Sequence, residues 1–542
     1  MKKKLFILLI IVLVVCSLLL FNRNIFISVT SIFRTEIQSK VKSLDLEEIN
    51  LILSDDLIAH FKDLYKDYRL EDNHSLNYKK FLIYYNKHNL WKDAQLIYKK
   101  KTYQIKIKSH GKSPSNHKER DYISLSIKLL NNEKIKGVER FNLIVYWRIK
   151  EFDYEYYSYV AKKMDLLVQK DELVLININN EKNYKLYYFE FRPDRNYLSS
   201  LKPNDLIALK RGTNKSLLYF EGDIYPLQLL LSNELKSEKY SYLSQNEKDT
   251  IYHIFNSLNT DLYNKNYSII HKYFDLDYIS RFLAMKTISG TADGFEMCNL
   301  ICPLSLSKQK FYPMIHRACL FSEMDKLNNF EKNDKHYRLI NMLILNDSIR
   351  LKKYQVLYDL ISNTDMNLLS LNLDNISSYH ENLYYSSFIK RKLNLHKIPP
   401  IIENMKQIKN YLEQSNPIIK INNSGDDLII ELSPKSMAPL VLKDFYLIKL
   451  LNIDSLKINI NIYLDSKEIM CYNNQVIKVN NNKVDLSNIF HKVLFYDNLD
   501  SNLNIVNSKY RIELNIQDNN KNYNKVTEEN LQFSLINNLY KQ

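Results

Sequence analysis

Two of the chain's seven glycines, Gly290 and Gly294, lie four residues apart in Ser289-Gly290-Thr291-Ala292-Asp293-Gly294. In a chain that avoids glycine, such positions are expected where the backbone needs a positive φ or a close approach. Gly111 sits in the loop Ser109-His110-Gly111-Lys112-Ser113-Pro114, directly after the alternating run Tyr103-Gln104-Ile105-Lys106-Ile107-Lys108. Lys118 follows this loop, and Glu190 stands near the end of a later apolar run. A strand, a loop with one glycine, a lysine-bearing strand, a helix and a strand ending in glutamate form an order that a nucleotide-phosphate site can use. A second cluster, Cys298, Cys302, His316 and Cys319, has ligand types suited to zinc, although its spacing matches no familiar knuckle. Buried thiols or one disulfide are the plainer reading of the same residues, ahead of zinc.

The elements that must carry these residues follow from hydrophobic periodicity. Residues 22–100 read as mainly helical, with Ser54 as a cap candidate for an amphipathic stretch beginning at Asp55. Strands are expected over Tyr103–Lys108, Tyr122–Leu129 and Phe141–Trp147, and a helix over Phe152–Leu167. Leu173–Asn177 and Tyr184–Phe191 read as a hairpin across Asn179-Asn180-Glu181. Helical periodicity returns from Tyr252 to Ile288, and Leu300–Leu304 with Phe311–Ile315 reads as a second hairpin. Residues 336–416 are helical in pattern, and beyond Pro417 short alternating strands separated by Asn, Asp and Ser turns replace them.

In this arrangement the sequence resembles the CotH kinase family, atypical protein kinases named for a bacterial spore-coat protein. The resemblance rests on Ile105-Lys106-Ile107-Lys108-Ser109-His110-Gly111, on His117-Lys118-Glu119-Arg120-Asp121-Tyr122, on Glu181 through Glu190, on Gly290 through Asn299, and on the helical region Leu339–Tyr358. It covers about residues 95–416 and implies bound ATP and magnesium. By position, Lys118 would neutralise the nucleotide's α- and β-phosphates, Glu190 would fix that lysine, and Gly111 would lie beside the nucleotide. Asp293 would receive or orient the acceptor hydroxyl, and Asn299 would hold magnesium. The same residues suit plainer work: Lys118 a solvated surface, Glu190 an ion pair with Arg192, Asp293 an Asp-Gly turn. The chain departs from the family where a strand should end in metal-binding aspartates. Phe311-Tyr312-Pro313-Met314-Ile315-His316-Arg317-Ala318 has no carboxylate there, and Glu323 and Asp325 are the downstream substitutes.

Composition narrows the alternatives. Seven glycines in 542 residues leave no glycine-rich phosphate loop of the GxGxxG or GxxxxGK type. The charge of +15 comes from lysines interspersed with acids, which is a solvated surface and not a nucleic-acid footprint. Met1-Lys2-Lys3-Lys4 precedes an apolar run from Leu5 to Phe21, broken only by Ser17, which spans roughly 25 Å. The lysines favour a cytoplasmic N-terminus, so a membrane anchor is expected ahead of a cleaved signal or a lipoprotein site at Cys16. The expected organisation is an anchor at 1–22, a helical stalk at 23–94, a kinase-like domain at 95–416 and a β-rich, sandwich-like domain at 417–542. The fold class is therefore α+β. The expected function is a divergent CotH-type kinase of the bacterial cell envelope, anchored by its N-terminus with its bulk outside the cytoplasm. It would phosphorylate Ser or Thr of envelope or secreted proteins. The alternatives are an inactive pseudokinase scaffold and a carbohydrate-binding protein acting through its β-rich domain.

Overall fold

The computed structural model describes residues 45–64, 83–111, 123–145, 152–179, 184–193, 195–207, 241–264, 266–289, 301–316, 346–387 and 400–414. From 418 onward it describes chiefly 418–424, 427–434, 441–448, 455–481, 483–490, 508–518 and 531–536. The fold is mixed α+β, and the chain divides into two compact units. Among the described residues, no helix is long and apolar enough to cross a membrane. The apolar run at Leu5–Phe21 lies outside them.

The first unit contains a closed seven-stranded barrel: β1 (Glu47–Ile52), β2 (Lys92–Tyr98), β3 (Lys101–Ser109), β4 (Leu125–Leu129), β5 (Arg140–Val145), β6 (Asp171–Ile178) and β7 (Lys185–Phe191). Their order around the barrel is β1-β2-β3-β4-β5-β7-β6, with β6 returning to β1. Neighbours are antiparallel except at the closing seam, where β1 and β6 run parallel with Ile49 opposite Ile176. Alternation decides the inward face. Ile49, Ile105, Ile127, Phe141, Ile176 and Phe189 are all fully buried.

The expected strands at 103–108, 173–177 and 184–191 appear, and β6 and β7 form the antiparallel pair. Those at 122–129 and 141–147 appear as Leu125–Leu129 and Arg140–Val145 (Tyr122, Tyr146 and Trp147 lie outside the described residues). The helical reading of 22–100 is corrected at two places, because Glu47–Ile52 and Lys92–Tyr98 are strands. Helix α1 (Asp55–Asp63) lies between them, capped by Ser54, whose Oγ accepts from Leu57 N at 3.2 Å. Two asparagines finish the barrel's ladders with side-chain amides that act as peptide groups. Asn179 Nδ2 donates to Leu53 O and its Oδ1 accepts from Leu53 N, both at 2.7 Å. Asn89 does the same to Ser109, with both bonds at 2.9 Å. Each satisfies a donor and an acceptor that the neighbouring strand is too short to reach.

The second unit holds α2 (Phe152–Lys163, apart from its first residue), β8 (Leu206–Ile207), α4 (Gln245–Tyr263), a 3₁₀ helix (Tyr267–Tyr273) and α5 (Leu276–Ser289). A four-residue helix, α3 (Arg195–Leu198), belongs to the first unit. β9 (Leu304–Ser305) and β10 (Lys310–Phe311) make the expected second hairpin, which Ile301 and Met314 extend as a bridge. Helices α6 (Asp347–Asn363), α7 (Met366–Ser387) and α8 (Ile401–Gln414) fall within the expected helical stretch. Asn346 caps α6, its Oδ1 accepting from Ile349 N at 3.0 Å.

The remaining strands are β11 (Ile418–Ser424), β12 (Asp427–Ser433), β13 (Val441–Leu447), β14 (Ser455–Leu464), β15 (Lys467–Lys478), β16 (Val484–Asp485), β17 (Asn498–Leu499), β18 (Ile505–Val506), β19 (Tyr510–Asp518) and β20 (Leu531–Ile536). A five-stranded sheet has the order β11-β12-β19-β14-β15, and a three-stranded one β16-β13-β20. Leu432 and Ile460 from the first sheet share one apolar core with Phe445 and Val484 from the second. Phe490 of the short helix α9 (Ser487–Phe490) joins it.

Candidate functional site

Two of the residues singled out by sequence, Gly111 and Glu190, lie in the barrel unit. Lys118, Asp293 and Asn299 lie outside the described residues, as do Gly290, Gly294, Glu323 and Asp325. Gly111 follows the end of β3 at φ +84°, a conformation that costs glycine nothing and other residues about 1–2 kcal/mol. Glu190 sits near the end of β7 and is buried, with 9% of its surface exposed.

The barrel connects these two positions through side chains. Cross-strand pairing sets Lys108 opposite Ser126, Ser126 opposite Asn142, Asn142 opposite Glu190, and Glu190 opposite Asp171. Directly paired residues share a face, so this rung runs across β3, β4, β5, β7 and β6 on the side opposite the barrel core. Asn142 Nδ2 donates to Glu190 Oε2 at 2.5 Å, and Ser126 Oγ donates to Asn142 Oδ1 at 2.9 Å. His110 Nδ1 is 3.0 Å from Ser126 Oγ.

The direction of this relay follows from the chemistry of its ends. Asn142 presents its amide nitrogen to Glu190 and its oxygen to Ser126. Ser126 spends its one proton on that oxygen and must accept from His110. The histidine therefore carries hydrogen on Nδ1, with Nε2 as its remaining ring nitrogen. Every bond donates toward Glu190, in a chain that begins at His110, beside Gly111. Ser126 and Asn142 are buried, so a low effective dielectric strengthens each link. Sequence reasoning passed over both residues. Their available signal was a single polar residue inside each of the apolar runs Leu125-Ser126-Ile127 and Phe141-Asn142-Leu143.

A separate charge cluster, also within the barrel unit, is centred on Lys136. It lies in the two-residue turn joining Ile135 and Val138, with Lys136 at φ +52° and Gly137 at φ +84°. Its ammonium bonds Glu47, and it bonds Glu172 at 2.6 Å. Lys99 reaches Glu47 at 2.9 Å, Tyr98 donates to it at 3.0 Å, and Lys170 reaches Glu172 at 2.6 Å. Burial alone would raise the Glu47 carboxyl, but hydrogen bonds from Lys136, Lys99 and Tyr98 bring it down to about 2. Burial likewise opposes the charge on Lys136, and its bonds to Glu172 and Glu47 outweigh that and raise it. With its charges paired off, this cluster serves the structure of the barrel.

In the second unit, the strand that replaces the expected metal motif is tied into the core. Met314 and Ile315 are fully buried, Pro313 O accepts from Tyr278 OH at 2.6 Å, and Ile315 N donates to Leu167 O at 2.8 Å. Cys302 is a free thiol that burial pushes well above the usual range, and His316 is buried. Cys298 and Cys319 lie outside the described residues, and among the described ones no group of three or more metal-ligating side chains gathers.

Compared with known proteins, the chain matches no protein-family model, and no curated protein matches it.

Proposed function

We propose that this chain is a divergent CotH-type, kinase-like protein of the bacterial cell envelope, anchored through residues 5–21. In this reading the barrel unit carries the phosphate side of an ATP site, and the strands beyond 417 form a sandwich-like accessory domain. The observation that supports it most is the relay from His110, beside Gly111, to Glu190. The residue beside the loop glycine and the strand glutamate, both in segments that carry the resemblance, are joined by hydrogen bonds through Ser126 and Asn142. Lys118 would supply the direct cation in this scheme, and Glu190 would fix that lysine. ATP would bring the phosphoryl group and magnesium the charge neutralisation for transfer to Ser or Thr of an envelope or secreted protein. By the resemblance, Asp293 would receive or orient the acceptor hydroxyl and Asn299 would hold magnesium.

A binding-only, scaffolding reading is favoured by one feature. Met314 and Ile315 stand fully buried where the family has metal carboxylates, and an aliphatic side chain cannot ligate magnesium. Magnesium would then depend on Asn299 and the downstream Glu323 and Asp325.

Calorimetry of the full chain in detergent micelles with MgATP, together with transfer of labelled phosphate, tests both. Binding that Glu190→Gln weakens about tenfold supports the nucleotide site. Binding without transfer, unchanged in Asp293→Ala, selects the scaffold. Failure to bind at millimolar MgATP sinks both.

A further inference from the structure

One rung away from the relay, on the same face of the barrel, three cations are set directly opposite one another. Lys106 on β3 pairs with Lys128 on β4, and Lys128 pairs with Arg140 on β5. Like charges in directly paired positions repel, so sheets ordinarily separate them or interpose acids. Here Lys106 has one acidic partner, Asp93 on β2 at 2.7 Å, and that carboxylate is 77% exposed. Among the described residues neither Lys128 nor Arg140 has an ion-pair partner, and both are half-buried. On the neighbouring rung Glu190 accepts from Asn142, and Lys108 lies with its ammonium 4.8 Å from the centre of the Trp91 ring. Three cations against one carboxylate leave two positive charges on one short row.

We infer that Lys106, Lys128 and Arg140 form a binding site for a phosphate dianion, either free or as a phosphomonoester. The charge matches that of the dianion. Arg140 offers a planar fork for two oxygens, and the lysines offer point charges for the third. A bound dianion removes the repulsion that the row otherwise stores, so ligand binding and barrel stability are linked. This site does not depend on the nucleotide reading, because the row uses neither Gly111 nor Glu190.

The test uses the full chain in detergent at mildly alkaline pH, where inorganic phosphate is the dianion. Wild-type protein should gain thermal stability with phosphate and none with chloride at the same ionic strength. Arg140→Gln and Lys128→Gln should each weaken phosphate binding about tenfold or more, and Arg140→Lys, which keeps the charge but not the fork, should weaken it less than Arg140→Gln does. Without phosphate, Lys128→Gln should melt at or above the wild-type temperature, which a merely structural lysine would not do. If MgATP displaces phosphate, the row holds a nucleotide's phosphate. If MgATP binds elsewhere, or fails to bind while phosphate still does, the row holds a separate phosphate and stands without the kinase-like reading. Equal stabilisation by chloride, or unchanged phosphate affinity in both glutamine variants, overturns the proposal.

Discussion

Strand β14 turns Leu456, Ile458, Ile460 and Ile462 into an apolar core and leaves Lys457, Asn459 and Asn461 on the less buried face. Strands β4 and β5 of the barrel bury residues on both faces, and the face away from the core carries Ser126 and Asn142. The two regions solve different problems. The C-terminal sheets hold themselves together by one-sided burial, with polar side chains such as Lys457 and Asn461 kept to the less buried face. The barrel has desolvated polar groups that must be satisfied in a single arrangement, which costs stability when any link is missing. Polar groups kept in a buried ladder of this kind mark where electrostatics is strong enough to serve binding.

The largest expected effects test that contrast. Ile460→Ala should cost the C-terminal sheets ~2–5 kcal/mol through lost burial and a residual cavity. The loss should be insensitive to pH around neutrality, since the one ionisable side chain among the cluster's buried members is Tyr510, whose phenol burial pushes up to about 12. Asn142→Leu should cost the barrel about 2–3 kcal/mol by leaving the Glu190 carboxylate and the Ser126 hydroxyl without their partner. Adding Ser126→Ala and Glu190→Leu to it should recover part of that loss, because removing a whole buried polar set is cheaper than breaking it. Denaturant unfolding of the wild type, the three single variants and the triple variant reads this directly. Losses that simply add would show that no relay operates.

The sequence made these regions legible to different degrees. Alternation revealed the strands from β3 to β7 and the strand-rich end, because each half-buried strand records its own face. The barrel's closure was hidden, since the parallel seam joins Ile49 to Ile176 across more than a hundred residues. β1 also begins with Glu47 and Glu48 in a Leu-rich context that resembles a helix. The site was half visible. Gly111 and Glu190 stood out by position, whereas the residues joining them are ordinary polar ones whose meaning comes only from register. Asn89 and Asn179 could not be read at all, because in an Asn-rich chain nothing local separates a ladder-ending amide from a solvated one.

A smaller effect concerns the charge cluster around Lys136. Glu47 titrates at about 2 in the folded chain, below the ordinary carboxylate value near 4.3. A depressed folded value means that the stabilisation is complete above the ordinary value and fades as pH falls from there toward 2. Glu47→Gln should remove that part of the acid limb. At neutral pH the loss should be about 1 kcal/mol, modest because the Glu47 side chain is 36% exposed. Acid titration followed by circular dichroism compares the two proteins. An unchanged acid limb would mean that Lys136 draws its stability from Glu172 alone.

The smallest effects return to glycine, where the two regions behave alike. Tight two-residue turns between antiparallel strands need positive φ at both central positions, which chains usually meet with Asn-Gly or Asp-Gly. Here Lys99 and Lys100 make the turn between β2 and β3, at φ 49° and 66°. Asp465 and Ser466 make the one between β14 and β15, at φ 48° and 71°. The turn that inserts Lys136 keeps its glycine. A Cβ built on Gly137 meets nothing within 4 Å, so Gly137→Ala should cost only the backbone strain, about 1 kcal/mol. Ser466→Gly should have the opposite sign, a gain of about 0.5 kcal/mol, since relief of left-handed strain exceeds the added freedom of the unfolded chain. Opposite shifts in thermal midpoint would show that these turns bear strain tolerated for lack of glycine. A loss in both variants would instead mean that Ser466 is held by its surroundings, and that the glycine-poor composition costs this fold nothing at its turns.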